Sequence, residues 1–179
     1  MNTETEQDGT AALAAATVRT ERLDLVPLAV AHAAEMAEVL ADPALHSFTG
    51  GAPLTGPDLR ARYERLTAGS PDPAVLWCNW VVRLRASGRL AGTVQATVTD
   101  EGRTAEVAWV TGTPWQGRGI AREAAGALVA LLLDHGARTV VAHVHPDHTA
   151  SAAVARAAGL APTDEEVDGE VRWELRLPA

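Results

Sequence analysis

The sequence predicts one α/β (α+β) domain in which antiparallel strands and helices share a core. Three consecutive segments between residues 76 and 110 alternate apolar and polar side chains, which is typical of half-buried strands, and turns that contain glycine separate them. A glycine-containing loop, a long apolar helix and a short β-branched run at residues 139–144 follow. Strands that connect in this way to helices and further strands favour a layered α/β arrangement.

The N-terminal part predicts one strand and two helices. Residues 19–28 alternate around Leu23 and Leu25, as in a strand, and apolar residues recur at helical spacing in residues 30–40. Thr55 and Asp58 form an approximate capping box, and they open a second helix that extends through Leu66.

Five strands, of which the first three are consecutive and antiparallel, and two more helices account for the rest of the chain. The strands are predicted at residues 76–84, 90–99 and 104–110, and the turns between them contain Gly88 and Gly102. A helix over residues 121–135 ends before Gly136, a buried strand covers residues 139–144, a small helix covers residues 149–158, and a last strand covers residues 171–177.

Composition and charge limit the classes of protein to consider. The 179 residues include 47% hydrophobic residues, which is enough for one buried core, and no apolar run approaches the roughly 20 residues that span a bilayer. The acidic segment 1–17 is unlike a signal peptide, so we expect a disordered tail over residues 1–17, a single domain over residues 18–179 and a cytoplasmic location. A net charge of −8 argues against a nucleic-acid partner, and Cys78 alone excludes an intramolecular disulfide.

Residues 115–121, Trp-Gln-Gly-Arg-Gly-Ile-Ala, predict a phosphate cradle between a strand and a helix. Gly117 and Gly119 allow a tight turn that gathers backbone N–H groups, and the following helix offers its positive N-terminal dipole to an anion. Arg118 and Arg122 add positive charge. The segment lacks the Lys-Ser/Thr pair of a P-loop and the third glycine of a dinucleotide fingerprint. A plain glycine-rich turn is the alternative.

Three separated segments resemble the GNAT acetyltransferase superfamily. The pattern Gln116-x-x-Gly119-x-Ala121 resembles the acyl-CoA pyrophosphate loop of that superfamily. Residues 20–25, Thr-Glu-Arg-Leu-Asp-Leu, and the segment from Pro146 to Leu160 resemble motifs of its ribosomal-protein N-terminal (RimJ/RimL-like) branch. The resemblance spans residues 19–177. It implies a GNAT fold, with a central mixed, mostly antiparallel sheet of about six to seven strands flanked by about four helices, and acetyl-CoA as cosubstrate.

The resemblance also implies site residues, and the sequence departs from the usual pattern at three positions. His148 stands where the family has Asn, Leu160 stands where it has Phe, and Ala155 stands where many members have the Tyr that protonates the departing thiolate. The residues implied for acetyl-CoA are Val110, Gln116, Gly117, Arg118, Gly119, Ile120, Ala121, His148 and Ser151.

Transfer of an acetyl group to an amine requires a neutral amine and a route for the thiolate to leave. Glu106, a carboxylate on the strand before the cradle, is the predicted catalytic base and would act through water; Ser151 is the nearest hydroxyl in the motif. The alternative for Glu106 is a solvated residue paired with Arg103.

Residues 143–148 also fit the metal-binding pattern H-x-H-x-D-H of metallo-β-lactamase-like hydrolases. No histidine follows His148, so the second set of ligands that such enzymes need is missing, and we expect no catalytic metal. His143 and His145 are instead expected to be partly buried, or to lie near the amine.

The sequence therefore predicts an acetyl-CoA-dependent N-acetyltransferase that acts directly on a primary amine. The sequence does not determine whether the acceptor is a protein N-terminus or a small molecule, which acyl chain is preferred, or whether the protein forms a homodimer. A catalytically silent acyl-CoA-binding module is the alternative function. The acidic segment 164–170 is expected to be a solvated turn, with attraction of a cationic amine as the alternative.

Overall fold

A computed structural model describes residues 12–178 of the chain. One eight-stranded sheet runs in the order β1-β2-β3-β4-β5-β6-β8-β7. Its strands are β1 (Val18–Arg19), β2 (Leu23–Pro27), β3 (Leu76–Leu84), β4 (Leu90–Thr99), β5 (Thr104–Thr111), β6 (Thr139–Val144), β7 (Ala161–Val167) and β8 (Glu170–Arg176). The main helices are α1 (Ala33–Val39), α2 (Gly56–Ala68), α3 (Ile120–Asp134) and α4 (Thr149–Ala157), with short 3-10 turns at Val30–His32, Pro43–His46 and Thr113–Trp115 and a helical turn over residues 12–15.

The predicted fold class is confirmed, and most predicted elements lie within one or two residues of their observed bounds. β3, β4 and β6 begin and end at the predicted residues. The hydroxyl of Thr55 accepts a hydrogen bond from the N–H of Asp58 at the start of α2, as the capping box predicts. Gly136 follows the last turn of α3 with a φ of +99°, the left-handed conformation that glycine favours.

Two elements differ from the prediction, and they raise the strand count to eight. Residues 19–28 are not one strand, because a turn at residues 20–22 divides β1 from β2, and the N–H of Thr20 donates to the carbonyl of Leu23 (2.9 Å). The acidic segment is not a turn: residues 161–167 form the edge strand β7, and the reversal occurs at Asp168 and Gly169, which both have positive φ. Nearly all β7 side chains are exposed, so no alternation marked it as a strand.

The predicted boundary of the disordered tail is also wrong. Leu13 is only 5% exposed, and the indole N–H of Trp80 donates to the carbonyl of Ala16 (2.8 Å). These residues therefore pack against the sheet instead of preceding the domain. The remaining part of the predicted tail, residues 1–11, lies outside the described residues.

The sheet opens between β5 and β6, the fifth and sixth strands in its order. β5 and β6 run parallel and pair only at residues 104–106 and 139–141, whereas every other neighbouring pair is antiparallel. One core cluster includes the fully buried Trp80, Leu128 and Val140, and it therefore joins strands on both sides of this opening. No helix in residues 12–178 combines the length and the apolar character needed to cross a membrane.

Candidate active site

A cavity of about 780 Å³ occupies the opening between β5 and β6. Residues 107–111 and 142–145, which follow the last residues that pair β5 with β6, line the cavity together with the start of α4 and with every cradle residue except Arg118. Val107 and Trp109 come from one face of β5, and Ala108 and Val110 come from the other. The cavity therefore passes through the sheet from one face to the other.

The predicted phosphate cradle has the backbone geometry that an anion requires. Gly117 and Gly119 adopt φ values of +71° and +75°, and Gly119 is the N-cap of α3. Within residues 12–178, the N–H groups of residues 117–122 donate to no other backbone group. Unpaired N–H groups at the positive end of a fifteen-residue helix favour a bound phosphate. The cradle thus fits the pyrophosphate of an acyl-CoA.

The turn between β1 and β2 holds the cradle in place. Arg22 donates from Nη1 to the carbonyl of Arg118 (2.8 Å) and from Nε to Glu123 Oε2 (2.6 Å). The other carboxylate oxygen of Glu123 accepts from the hydroxyl of Thr20 (2.6 Å) and the N–H of Arg22 (2.9 Å). Burial alone would raise the pKa of Glu123, but these hydrogen bonds outweigh it and lower the pKa below its usual value. Glu123 is not identified in the sequence analysis. Its position was a signal, because an acidic residue in the first turn of a helix interacts favourably with the positive end of the helix dipole.

The start of α4 forms the opposite wall of the cavity. The hydroxyl of Ser151 accepts a hydrogen bond from the indole N–H of Trp109 (3.1 Å), and its own hydrogen is free to donate. His148 is the N-cap of α4, and its Nδ1 accepts from the N–H of Ser151 (3.3 Å). Ala155 is fully buried and offers no acidic group. The structure therefore places the two predicted residues His148 and Ser151 together on the cavity wall.

An aromatic contact brings the loop between α1 and α2 to this wall. The ring of Phe48 stacks on His148 with 4.3 Å between centroids and 18° between planes, and it also lies 5.3 Å from the ring of His145. Burial lowers the pKa of His148, and a positive charge on His145 lowers it further. The lowered pKa favours the neutral ring of His148, which its role as a hydrogen-bond acceptor requires.

Glu106 lies beside the cavity and not on its wall. Its carboxylate is 61% exposed, and His143 Nδ1 lies 3.3 Å from Glu106 Oε1. The ring of His143 is 20% exposed and does line the cavity. The alternative partner Arg103 instead contacts Asp100 and Glu101. A path from the cavity to Glu106 thus runs past the ring of His143.

The histidines of the H-x-H-x-D-H segment do not converge on one point. Nδ1 of His143 faces Glu106, Nδ1 of His145 accepts from the N–H of Asp147 (3.2 Å), and Nδ1 of His148 accepts from Ser151. In the described part of the chain, no group of three or more His, Cys, Asp or Glu side chains is placed to hold a metal ion.

The α/β fold thus has one sheet that opens between β5 and β6, and the cradle lines the cavity in this opening. The family model described as "Acetyltransferase (GNAT) domain" matches residues 22–161. The chain therefore belongs to the GNAT acetyltransferase family.

Solved structures confirm the fold. A GNAT-family acetyltransferase from Bacillus anthracis superimposes with a TM-score of 0.74 at 18% identity, covering 90% of this chain and 98% of that one. The ribosomal L7/L12 α-N-protein acetyltransferase RimL, solved with coenzyme A, gives 0.74 at 14% identity over 90% and 98% of the two chains. The microcin C7 self-immunity acetyltransferase MccE, solved with acetyl-CoA and AMP, gives 0.73 at 17% identity over 88% and 94%. Comparison with curated protein sequences yields no match.

Proposed function

We propose that this protein is an N-acetyltransferase that moves an acetyl group from acetyl-CoA directly to a primary amine. The observation that carries the proposal is the cavity that leads from the cradle through the sheet. A cosubstrate held at the cradle and an acceptor that enters from the other face would meet between the strands. Family membership supports acyl transfer, and the CoA and acetyl-CoA bound to RimL and MccE support the choice of cosubstrate.

In this proposal the cofactor residues are those that the sequence indicates, with the exception of Val110. Gly117, Arg118, Gly119, Ile120 and Ala121 hold the pyrophosphate through their N–H groups, whereas the N–H of Gln116 donates to the carbonyl of Thr113 (3.3 Å). Gln116 Nε2 also donates to the carbonyl of Thr111 (3.0 Å), which ties the cradle to the end of β5. His148 and Ser151 lie along the pantetheine arm. The register of β4 and β5 pairs Val110 with Thr93 and turns the N–H of Val110 toward β4, so this N–H has no proposed role at the thioester carbonyl. Acetyl-CoA supplies the activated acyl group when it is bound.

Side chains of the protein then accept the proton of the amine and supply one to the departing sulfur. His143 lies between the cavity and Glu106, so the pair takes the proton of an ammonium acceptor, either through the ring or through water. The free hydroxyl hydrogen of Ser151 can be donated to the departing sulfur. A thiol has a pKa of about 8.5, so its thiolate leaves without a strong acid, and Ala155 in place of Tyr does not prevent turnover.

Substitution of Gly119 by Asp tests the assignment. The variant places a side chain and a negative charge at the cradle, so CoA affinity, measured by calorimetry, should fall by at least about tenfold. Gly102→Asp is the matched control, since Gly102 also has a positive φ (+85°) but lies in the turn between β4 and β5. Both variants bear similar backbone strain. Equal CoA affinity in the two folded variants would remove the cradle from the proposal.

Turnover separates the enzyme from a silent acyl-CoA-binding module. Release of CoA above the hydrolysis background, when primary amines are added, supports the enzyme. Tight binding of acetyl-CoA without any amine-dependent release would favour the module. The acceptor is either a protein N-terminus or a small amine; the name of RimL specifies a protein α-amino group, whereas the name of MccE specifies only microcin C7 self-immunity.

A further inference from the structure

A second cavity of about 470 Å³ lies between α2 and the sheet and adjoins the first cavity. The two cavities share Leu45, Thr49 and Val110, so a molecule in the second reaches the opening between β5 and β6 beside Val110. An acceptor would occupy this position if the cosubstrate lies in the first cavity. The inference below rests on the proposed function and specifies the acceptor.

The wall that the sheet contributes to the second cavity is polar. Asn79 of β3 lies directly opposite Gln95 of β4, and both line the cavity. Thr93 comes two residues before Gln95 on the same face of β4, and it lies opposite Val110 of β5. Asn79 and Thr93 are half-buried and Gln95 is exposed, so a ligand can reach them. A row of amide and hydroxyl groups therefore leads away from the opening.

The wall that α2 contributes carries a positive charge. Arg62 comes three residues after Leu59 and four before Leu66, so these residues share one side of α2, and all of them line the cavity. Burial raises the pKa of Tyr63 to about 12, and the charge of Arg62 counteracts this rise, which indicates that the guanidinium lies near this wall. Within residues 12–178, no Asp or Glu lines the cavity. The guanidinium therefore offers its charge and its donors to an anion.

The opening at the other end of this path has carboxylates nearby. Glu170 lines the first cavity, and Glu106 lies beside it with Oε1 3.3 Å from His143 Nδ1. Arg122, which also lines the first cavity, lies in the first turn of α3 next to the cradle. An ammonium group at the opening is attracted by the carboxylates, whereas Arg62 repels it from the second cavity. The charges thus favour a molecule with its amine at the opening and a negative group at Arg62.

We propose that the second cavity binds the far end of the acceptor and that this end carries a carboxylate, which Arg62 holds. Asn79, Thr93 and Gln95 bind the polar chain between the carboxylate and the amine, because amide and hydroxyl groups bind both the N–H and the C=O groups of such a chain. Peptides and amino-acid derivatives with a free carboxylate have this combination of groups. Polycationic amines lack it and are poor acceptors.

Glycine peptides provide the first test, because each has one primary amine and one carboxylate, at a distance that increases with peptide length. With acetyl-CoA, the wild type should use diglycine, triglycine or tetraglycine with a kcat/KM at least about fivefold above that for the C-terminal amide of the same length. Arg62→Gln should remove most of this preference. Arg65→Gln is the matched control, since it removes the same charge from α2 at an exposed position outside both cavities. It should keep the preference.

Gln95→Met tests the polar wall, since it keeps the length of the side chain and removes the amide. KM for the preferred glycine peptide should rise several-fold while kcat is retained. KM for an ω-aminoalkanoate of the same length, which has both charges but no peptide groups, should not change. Thr97→Val is the control, because Thr97 lies two residues further along the same face of β4 and lines neither cavity. Equal effects of Gln95→Met on the two substrates would contradict the role of the polar wall.

The outcomes distinguish this inference from the proposed function. If no peptide length shows a preference for the free acid, or if Arg62→Gln and Arg65→Gln alter the preference equally, the inference is overturned while acyl transfer stands. If CoA binds but no amine is acetylated, the free acid must still raise the melting temperature of the CoA-saturated protein more than its amide does. Equal shifts, or none, overturn the inference. Absence of both CoA binding and CoA release overturns the proposed function itself, and the inference with it.

Discussion

At the scale of single residues, the pair formed by Glu106 and His143 is where the chemistry can be tested most directly. Glu106→Gln keeps the shape of the side chain and removes its basicity. We expect kcat near neutral pH to fall by roughly 10²-fold, with acetyl-CoA affinity little changed. The deficit should diminish at high pH, where the free amine is already abundant. Initial rates measured between pH 6 and 10 check this prediction.

His143→Gln and the double variant serve as controls. If both residues act on one proton, the double variant should be no slower than the more severe single variant, because groups that act as a unit are not additive. Multiplied effects would indicate independent roles. A Glu106→Gln enzyme with wild-type kcat and an unchanged pH profile would contradict the assignment of the base.

The sequence identifies the residues whose chemistry is local and misses those whose partner is distant. Gly117 and Gly119 could be predicted because a tight turn before a helix is a local pattern. The contact between Arg22 and Glu123 joins residues 101 positions apart, and no spacing rule reveals it. Tyr63 has no signal in the sequence either, because only the packed structure shows that its hydroxyl is buried without a hydrogen-bond partner among the described residues.

At the scale of elements, α4 depends on a neutral imidazole. His148 Nδ1 accepts the N–H of Ser151, and the pKa of His148 lies below the ordinary 6.5 because of burial and His145. Between those two pKa values the unfolded chain binds a proton that the folded chain does not, so stability falls as pH decreases. The contribution of the cap is complete above about pH 6.5 and is lost as pH falls through the folded-state pKa.

His148→Asn should therefore remove this dependence on pH, because an Asn side chain caps a helix and does not titrate. The difference in melting temperature between this variant and the wild type should grow in favour of Asn from pH 7.5 to pH 5. His148→Ala, which has no cap, should lose about 1 kcal/mol at pH 8. Parallel melting curves for the wild type and His148→Asn across the range would contradict the role of the cap.

Among the elements, those with one buried face could be predicted to within a residue or two. β3, β4 and α3 have such faces, and their periodicity reflects burial. β7 could not, since it lies at the sheet edge with both faces exposed, and its acidic residues favour a turn when read alone. The short β1 and β2 read as one strand because the turn between them contains neither glycine nor proline.

At the scale of the whole molecule, acetyl-CoA should stabilise the native state because it contacts residues on both sides of the opening in the sheet. The proposed contacts come from β5, the cradle and α4, which lie on opposite sides of the gap. A ligand at 100 times its Kd adds about 2.7 kcal/mol to the stability of the native state, and a domain of this size gains about 2–4 °C for each kcal/mol. We expect a rise in melting temperature of roughly 5–10 °C by calorimetry.

Fragments of the ligand provide the control. ADP reaches only the cradle and pantetheine reaches only the α4 side, so each should raise the melting temperature less than intact CoA at equal saturation. Gly119→Asp should abolish the rise at the same CoA concentration. An intact ligand that stabilises no more than ADP would show that the contacts stop at the cradle.

The short parallel pairing of β5 and β6 also has a consequence for how the chain folds. β3, β4 and β5 are joined by tight hairpins, as are β7 and β8, so each group can form from contacts close in sequence. β6 pairs with β8 and so belongs with the second group. The two groups meet where β5 pairs with β6, which involves only three residue pairs and requires α3 to connect the two strands first. We expect the pairing of β5 with β6 to form last, after each of the two groups of strands has folded. Substitutions at Ala105 or Val140 should then speed unfolding and leave the refolding rate almost unchanged.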